Sequence, residues 1–167
     1  MICLLLSLPF KATEMKQYAF LQIINIQNGL SSSVRCLTVS HEKGYVWVGT
    51  RTGIGRFDGY ELKKYLHDNI THLFEDNENK IWAVTAKGLY YYNESDDNFL
   101  QAKDKEQHPL SAASICPWTD GVLFGGYGKI YKYNYADRQT ELLCSLQPDN
   151  HYNITTLRKW DRHTLLA

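Results

Sequence analysis

Residues 34–58, VRCLTVSHEKGYVWVGTRTGIGRFD, are echoed by residues 70–93, ITHLFEDNENKIWAVTAKGLYYYN. Trp47 aligns with Trp82, Thr50 with Thr85 and Gly53 with Gly88. Ile54 aligns with Leu89, Phe57 with Tyr92 and Asp58 with Asn93. One extra residue in the Ser40 to Tyr45 turn keeps both ends in phase. A worn third copy follows. Val122-Leu123-Phe124-Gly125-Gly126 replaces the tryptophan strand, and Lys129-Ile130-Tyr131-Lys132-Tyr133-Asn134 replaces GLYYYN. A fourth copy begins at Ile154-Thr155-Thr156-Leu157, matching Ile70-Thr71-His72-Leu73, and places Leu166 at the tryptophan position.

The period, about 35 to 43 residues, is that of a four-stranded sheet repeated around an axis, as in a β-propeller. In the second copy the strands are expected at 70–75, 81–84, 89–92 and 98–102. Between the first two lies Asp76-Asn77-Glu78-Asn79, whose side chains suit tight turns. Asp58-Gly59 is a hairpin signal between 54–57 and 60–65. IWAV and LYYY do not alternate strictly between apolar and polar, as expected of blades that pack on both faces. Gly49, Gly53, Gly88, Gly125 and Gly126 fall where a strand ends or backbones approach closely. No segment shows a helical period. The competing architecture is a sandwich with a chance run of similar hairpins. The shared order of Trp, Thr, Gly and an aromatic followed by Asp or Asn argues against it.

The expected fold is therefore all-β, a propeller fragment of three four-stranded blades plus the start of a fourth. The blades fall at 34–66, 70–104, 111–147 and, incomplete, 154–167. At roughly 40 residues per blade and about four to eight blades per ring, the expectation is a piece of a larger protein. A leading strand and loop occupy 18–33. Residues 2–10, ICLLLSLPF, are an apolar core too short to cross a bilayer, with a weak small-residue zone at Ala12-Thr13. No positive residue precedes that core, so 1–17 reads as a truncated signal peptide; the alternative is a short buried strand. Export to the periplasm follows from the first reading.

Composition agrees with a β-rich globular chain: 44% hydrophobic, 22% charged, with 12 Tyr, 6 Phe and 4 Trp. Eighteen basic and eighteen acidic side chains give no net charge, which argues against a nucleic-acid groove or a polybasic membrane patch. Cys36, Cys116 and Cys144 fit no zinc spacing and read as buried thiols; Cys3 lies in the leader.

The residues also carry a resemblance. Asn28-Gly29-Leu30-Ser31-Ser32-Ser33-Val34 is similar to the "DGLS…V" opening of a bacterial sensor family. The stretch from Val46 to Tyr60 resembles its "WxGTxxGLxRyDGy" motif, and Ile70 to Asp76 with Ile81-Trp82 its "ITsLxED…lW" motif. These are the two-component-regulator propeller repeats, which form the periplasmic sensor half of hybrid two-component systems. The departures are Ala83-Val84, where the family prefers an apolar residue and Gly, and Leu123 in place of Trp. The resemblance implies a sensor of glycan fragments, homodimeric in its full length, whose remaining blades, kinase and receiver lie outside this chain. It implies no catalytic activity and no cofactor for the segment itself.

Candidate ligand residues are those that vary at fixed positions on the loop face. Loops joining second and third strands supply Arg51, Thr52, Lys87 and Tyr127. Loops joining blades supply His67, Asp68, His108 and His151. Arg, Tyr and His can hydrogen-bond hydroxyls or stack on sugar faces. Trp47 and Trp82 read as blade packing rather than stacking platforms. The patterns Asn69-Ile70-Thr71, Asn93-Glu94-Ser95 and Asn153-Ile154-Thr155 match glycosylation acceptors, but repeat geometry accounts for the first and third. Asp96-Asp97 reads as a solvated turn. No nucleophilic triad or metal spacing is expected. A propeller lyase or glycosidase would need convergent carboxylates at the blade mouths. A protein-interaction propeller of WD type would need Gly-His and Trp-Asp pairs that this chain lacks.

Overall fold

Alternate residues of each second strand point to opposite faces of its sheet, and here both faces are buried. The computed structural model describes residues 27, 29–104, 106–145, 154–159, 161 and 164–166. The leader over 1–17, the leading strand, His151 and Asn153 lie outside the described residues. The first sheet holds β1 (Val34–Val39), β2 (Val46–Thr50), β3 (Ile54–Phe57) and β4 (Leu62–Tyr65). The second holds β5 (Ile70–Glu75), β6 (Ile81–Thr85), β7 (Gly88–Asn93) and β8 (Asn98–Gln101). The third holds β9 (Ser114–Trp118), β10 (Gly121–Gly126), β11 (Lys129–Asn134) and β12 (Thr140–Ser145). Each is an antiparallel meander in chain order, the form of a propeller blade. The described residues contain no α-helix, and so none long and apolar enough to cross a membrane.

The ladder register fixes which positions of the repeat are equivalent. Gly49 pairs with Ile54, Val84 with Leu89 and Gly125 with Ile130. Trp47, Trp82 and Leu123 therefore occupy one position. Each faces the next blade. Trp47 joins a cluster with Ile81 and Ala83 of the second sheet. Trp82 and Val84 join Val122 and Phe124 of the third. Leu123 meets Ile154 and Leu157. Both tryptophans are almost wholly buried, 1% and 0% exposed, so they are packing groups. At about 25 cal/mol per Å² of apolar surface removed from water, seams of this kind dominate the stability.

Size is complementary across each seam. A methyl group at Gly49 would stand 2.8 Å from Ile70 Cγ2, and one at Gly125 would stand 2.9 Å from Ile154 Cγ2. In the second sheet this position is Val84, and the position that corresponds to Ile70 in the third is Ala112, packed on the same cluster. The departure at Ala83-Val84 is thus balanced. Val84 fills the gap that Ala112 leaves, while Ala83 makes room beside Trp47. Gly53 and Gly88 have φ of 152° and 136°, and a Cβ on either would approach a carbonyl oxygen at 2.7 Å, of Leu66 and Leu110 respectively.

The turns between first and second strands differ by the one residue expected. Ser40 N–H donates to Tyr45 O, whereas Asp76 N–H donates to Lys80 O. Asp76 is buried, accepts from the backbone of Glu78 and Lys80 through Oδ1, and accepts Trp82 Nε1 at 2.7 Å through Oδ2. Ser40 is too short for this, and Trp47 Nε1 has no partner among the described residues. The fourth copy starts differently. Ile154 and Leu157 dock on the third blade without forming a ladder, and the strands are β13 (Arg158–Lys159) and β14 (Leu165–Leu166). Leu166 is half exposed and does not take the buried role of the tryptophans. Of the three thiols among the described residues, Cys116 is buried and Cys36 partly so, but Cys144, on β12, is exposed rather than buried as expected.

Trp82→Phe should destabilise the protein by about 1–3 kcal/mol more than Trp47→Phe, because it strands the buried Asp76 carboxylate. Urea unfolding of the two variants would measure this, and equal costs would refute the role given to Asp76. Gly49→Ala should cost about 1–3 kcal/mol through overpacking against Cys36 Sγ of its own sheet, the nearest atom, and Ile70 of the next, seen as a lower urea midpoint.

Candidate functional site

Antiparallel meanders put the loops β2–β3, β6–β7 and β10–β11, and the blade connections β4–β5 and β8–β9, at one end of the sheets. At that end a cleft of about 470 Å³ is lined by Arg35, Thr71, His72, Ser111, Ala113, Tyr127 and Thr155, among others. The first strands of the blades are the ones that approach one another, so this cleft lies where the blades converge. The equivalences set by the registers place Arg35, Thr71, Ala113 and Thr155 at one repeat position in four successive copies.

A register shift explains the first two. Val34 pairs with Thr50 and Cys36 with Gly49, leaving Arg35 as the extra residue of a β-bulge. Ile70 pairs with Thr85 and His72 with Val84, leaving Thr71 in the same situation. Bulges re-aim side chains and are frequent beside functional sites. Arg35 Nη1 donates to Asn69 Oδ1 at 2.8 Å, which orients the guanidinium. Burial, and then the charge of Arg35, lower the His72 pKa, so its ring is neutral at pH 7. Thr71 Oγ1 donates to Val84 O at 3.2 Å.

Of the candidates expected from sequence, Tyr127 lines this cleft. It also lines a neighbouring one of about 380 Å³ with Asp104, Pro109, Lys129 and Tyr131. Arg51 and Thr52 are exposed and tied to the leading loop, the backbone N–H of Arg51 and the hydroxyl of Thr52 both donating to Ser32 Oγ. Lys87 is exposed, and its backbone N–H donates to Asp68 Oδ2 and to Thr85 Oγ1. His67 is exposed on the β4–β5 connection. His108 is exposed on β8–β9, its backbone N–H donating to Asp104 Oδ1. Asp104, Glu106 and His108 offer ligand atoms within 4.8 Å of one another, but the Asp104 carboxylate is engaged in folding this loop. The structure thus brings Tyr127 to the cleft and leaves Arg51, Thr52, Lys87, His67 and His108 on the surrounding loop surface, with Asp68 half-buried and accepting from the Lys87 N–H. The sequence reading passed over Arg35, Thr71, His72 and Thr155. Arg35, Thr71 and Thr155 share one repeat position, which reads Arg, Thr, Ala, Thr in the four copies, and His72 follows it in the second.

The opposite end is built differently. Asp97, at φ 43° in the β7–β8 turn, accepts from Tyr65 OH at 2.8 Å, Tyr92 OH at 2.6 Å, Arg56 Nη1 at 3.1 Å and Lys63 Nζ. Beyond being a partly exposed turn residue, it is the hub that joins the first two blades. The Lys63 ammonium first, then the Tyr92 hydroxyl, hold its carboxyl well below the usual carboxylate range. Burial, reinforced by Asp97, pushes the Tyr92 hydroxyl up to about 12 and that of Tyr65 in the same direction. The Arg56 guanidinium lies over Tyr45, Trp47, Tyr65 and Tyr92, at 4.7 to 6.0 Å from the ring centroids. A second cleft at this end, about 410 Å³, carries Glu42, Glu78 and Glu94 with Lys80 and Arg138.

With this geometry in place, the fold can be matched to solved structures. The extracellular domain of BT4673 from B. thetaiotaomicron matches with a TM-score of 0.64 at 17% identity, covering 81% of this chain and 20% of that one. In that structure the protein is described as a one-component system. A second structure of BT4673, described as a hybrid two-component system, matches with a TM-score of 0.62 at 18% identity over 76% of this chain and 18% of that one. The extracellular domain of the hybrid two-component system BT3049 from the same organism gives 0.59 at 20% identity, over 79% and 20%. This chain has the fold of those extracellular domains. It spans about a fifth of their length. No protein-family model and no curated protein matches it.

Asp97→Asn should lower stability by on the order of 1 kcal/mol, since the hub is partly exposed and screened. Asp97 is more acidic folded than unfolded, so its contribution is complete above about pH 4 and is lost as pH falls toward the folded value. The loss of wild-type stability below about pH 4 should be shallower in Asp97→Asn. Parallel acid-unfolding curves for the two proteins would refute the role.

Proposed function

We propose that this chain is part of the periplasmic ligand-sensing propeller of a hybrid two-component histidine kinase and response regulator, and that it detects glycan fragments. The observation that carries the reading is the fold shared with extracellular domains of such systems, found in a chain whose repeats bear the "WxGTxxGLxRyDGy" and "ITsLxED" patterns. The axial cleft supports a ligand-binding role. Its volume lies in the range of small-molecule sites, roughly 300–1,000 Å³, and it offers hydroxyls of Thr71, Ser111 and Thr155 beside the ring of Tyr127. Arg51, Thr52, Lys87, His67 and His108 form the rim over which a longer oligosaccharide would extend. The candidate leader at 1–17 supports export.

Binding is the whole chemical task of this segment. The axial cleft carries no carboxylate among the described residues, and Asp76, Asp97 and Glu75 are engaged with Trp82, the blade hub and His41. In the full-length homodimer the ligand shifts the arrangement of the two sensors. It does so only by the difference in its affinity for the two arrangements. The remaining blades of the ring are the other partner of this chain.

The test is calorimetry of the purified protein against gluco-, xylo-, arabino- and galacturono-oligosaccharides. At least one class should bind, and Tyr127→Ala should weaken it by about ten-fold, or 1.4 kcal/mol. Silence across the whole panel would remove the glycan reading.

A further inference from the structure

We infer that the axial cleft takes an acidic oligosaccharide, with the guanidinium of Arg35 pairing its carboxylate or sulfate group. This deepens the oligosaccharide reading above and rests on it. Three observations carry it. The β-bulge leaves Arg35 outside the β1–β2 ladder register, and the equivalent bulge does the same for Thr71, so the two lining groups are placed by one device in adjacent blades. Arg35 and His72 are the ionisable groups along the wall besides the Tyr127 phenol, and no carboxylate lines the cleft among the described residues. The hydrogen bond to Asn69 holds the guanidinium in one orientation, and its planar fork matches the geometry of a carboxylate or sulfate. The contrast with the other end is instructive. That cleft carries Glu42, Glu78 and Glu94 against Lys80 and Arg138, so its carboxylates outnumber its cations, and it suits the same ligand less well. The hydroxyls of Thr71, Ser111 and Thr155 then face the sugar hydroxyls, and Tyr127 offers a face or an edge to a ring.

The experiment is calorimetric titration of the full chain with trigalacturonate, its methyl ester and a sulfated trisaccharide. An acidic probe should bind about ten-fold or more tightly than the neutral ester. Arg35→Gln should weaken the acid far more than the ester and so remove that advantage, while Arg35→Lys should keep part of it, because the charge remains and the fork is lost. Arg35 is exposed, and an unchanged melting temperature would show that the variants fold. Equal affinity for the acid and its ester would overturn the inference while leaving the oligosaccharide reading standing. An acid preference that survives Arg35→Gln would overturn the assignment to this cleft. Displacement of the trisaccharide by equimolar acetate or sulfate would show a free-anion site and overturn it too. If neither acidic probe binds, the inference fails, and the neutral classes of the wider panel decide the broader reading separately.

Discussion

Every other feature of this protein depends on the burial of both faces of each sheet. A blade has no core of its own. Trp47 is dry only because Ile81 and Ala83 stand against it, and Trp82 only because Val122 and Phe124 do. The constraint is one of matched volume. Gly49 admits Ile70, Val84 meets the smaller Ala112, and Gly125 admits Ile154. Interiors tolerate little error in volume, so a change in one blade requires a compensating change in the next. That is why the third copy can lose its tryptophan to Leu123 and still be sealed, with Leu123 at 1% exposure.

Polar groups follow the same logic at the seam rims. Asp97 gathers Arg56, Lys63 and Tyr65 from the first blade and Tyr92 from its own. Cations lie over aromatic rings of the neighbouring copy at each junction: Arg56 over Tyr92, Lys80 over Tyr133, Lys159 over Trp118. The aromatic excess is thereby explained as seam chemistry. It also leaves Glu42, Glu78 and Glu94 in the cleft at one end of the blades, while the axial cleft at the other end has no carboxylate among the described residues.

Where the seams stop, apolar surface is exposed. Val34, Leu37 and Val39 of β1 are 45–60% exposed, and Leu142 and Leu143 of β12 about half. A sheet with a bare face or an unpaired edge is a site for further pairing. These surfaces suit the additional blades of a ring, and the solved structures that share this fold are about five times as long.

The architecture was legible in the sequence because a repeat states the same local facts several times. Trp47 with Trp82, Thr50 with Thr85 and the extra residue of the Ser40 turn set the strands nearly to the residue. β5 and β11 run over Ile70–Glu75 and Lys129–Asn134 as expected. Local chemistry suffices for such elements, since turn residues and side-chain volume act over a few positions. The site was not legible in the same way. Tyr127 was found because it sits on a loop. Arg35, Thr71, Ala113 and Thr155 lie far apart in the chain, and they meet only because the blades turn about a common axis. A bulge is a mismatch between two strands and exists in neither strand alone, so the placement of Arg35 and Thr71 is a property of pairing. Asp97 looked like a solvated turn for the same reason: its partners Arg56, Lys63 and Tyr65 belong to another blade. The sequence by itself determined the blades and their packing residues. Only the tertiary structure decided which polar groups share a cleft, because that depends on the register between strands and on the stacking of sheets.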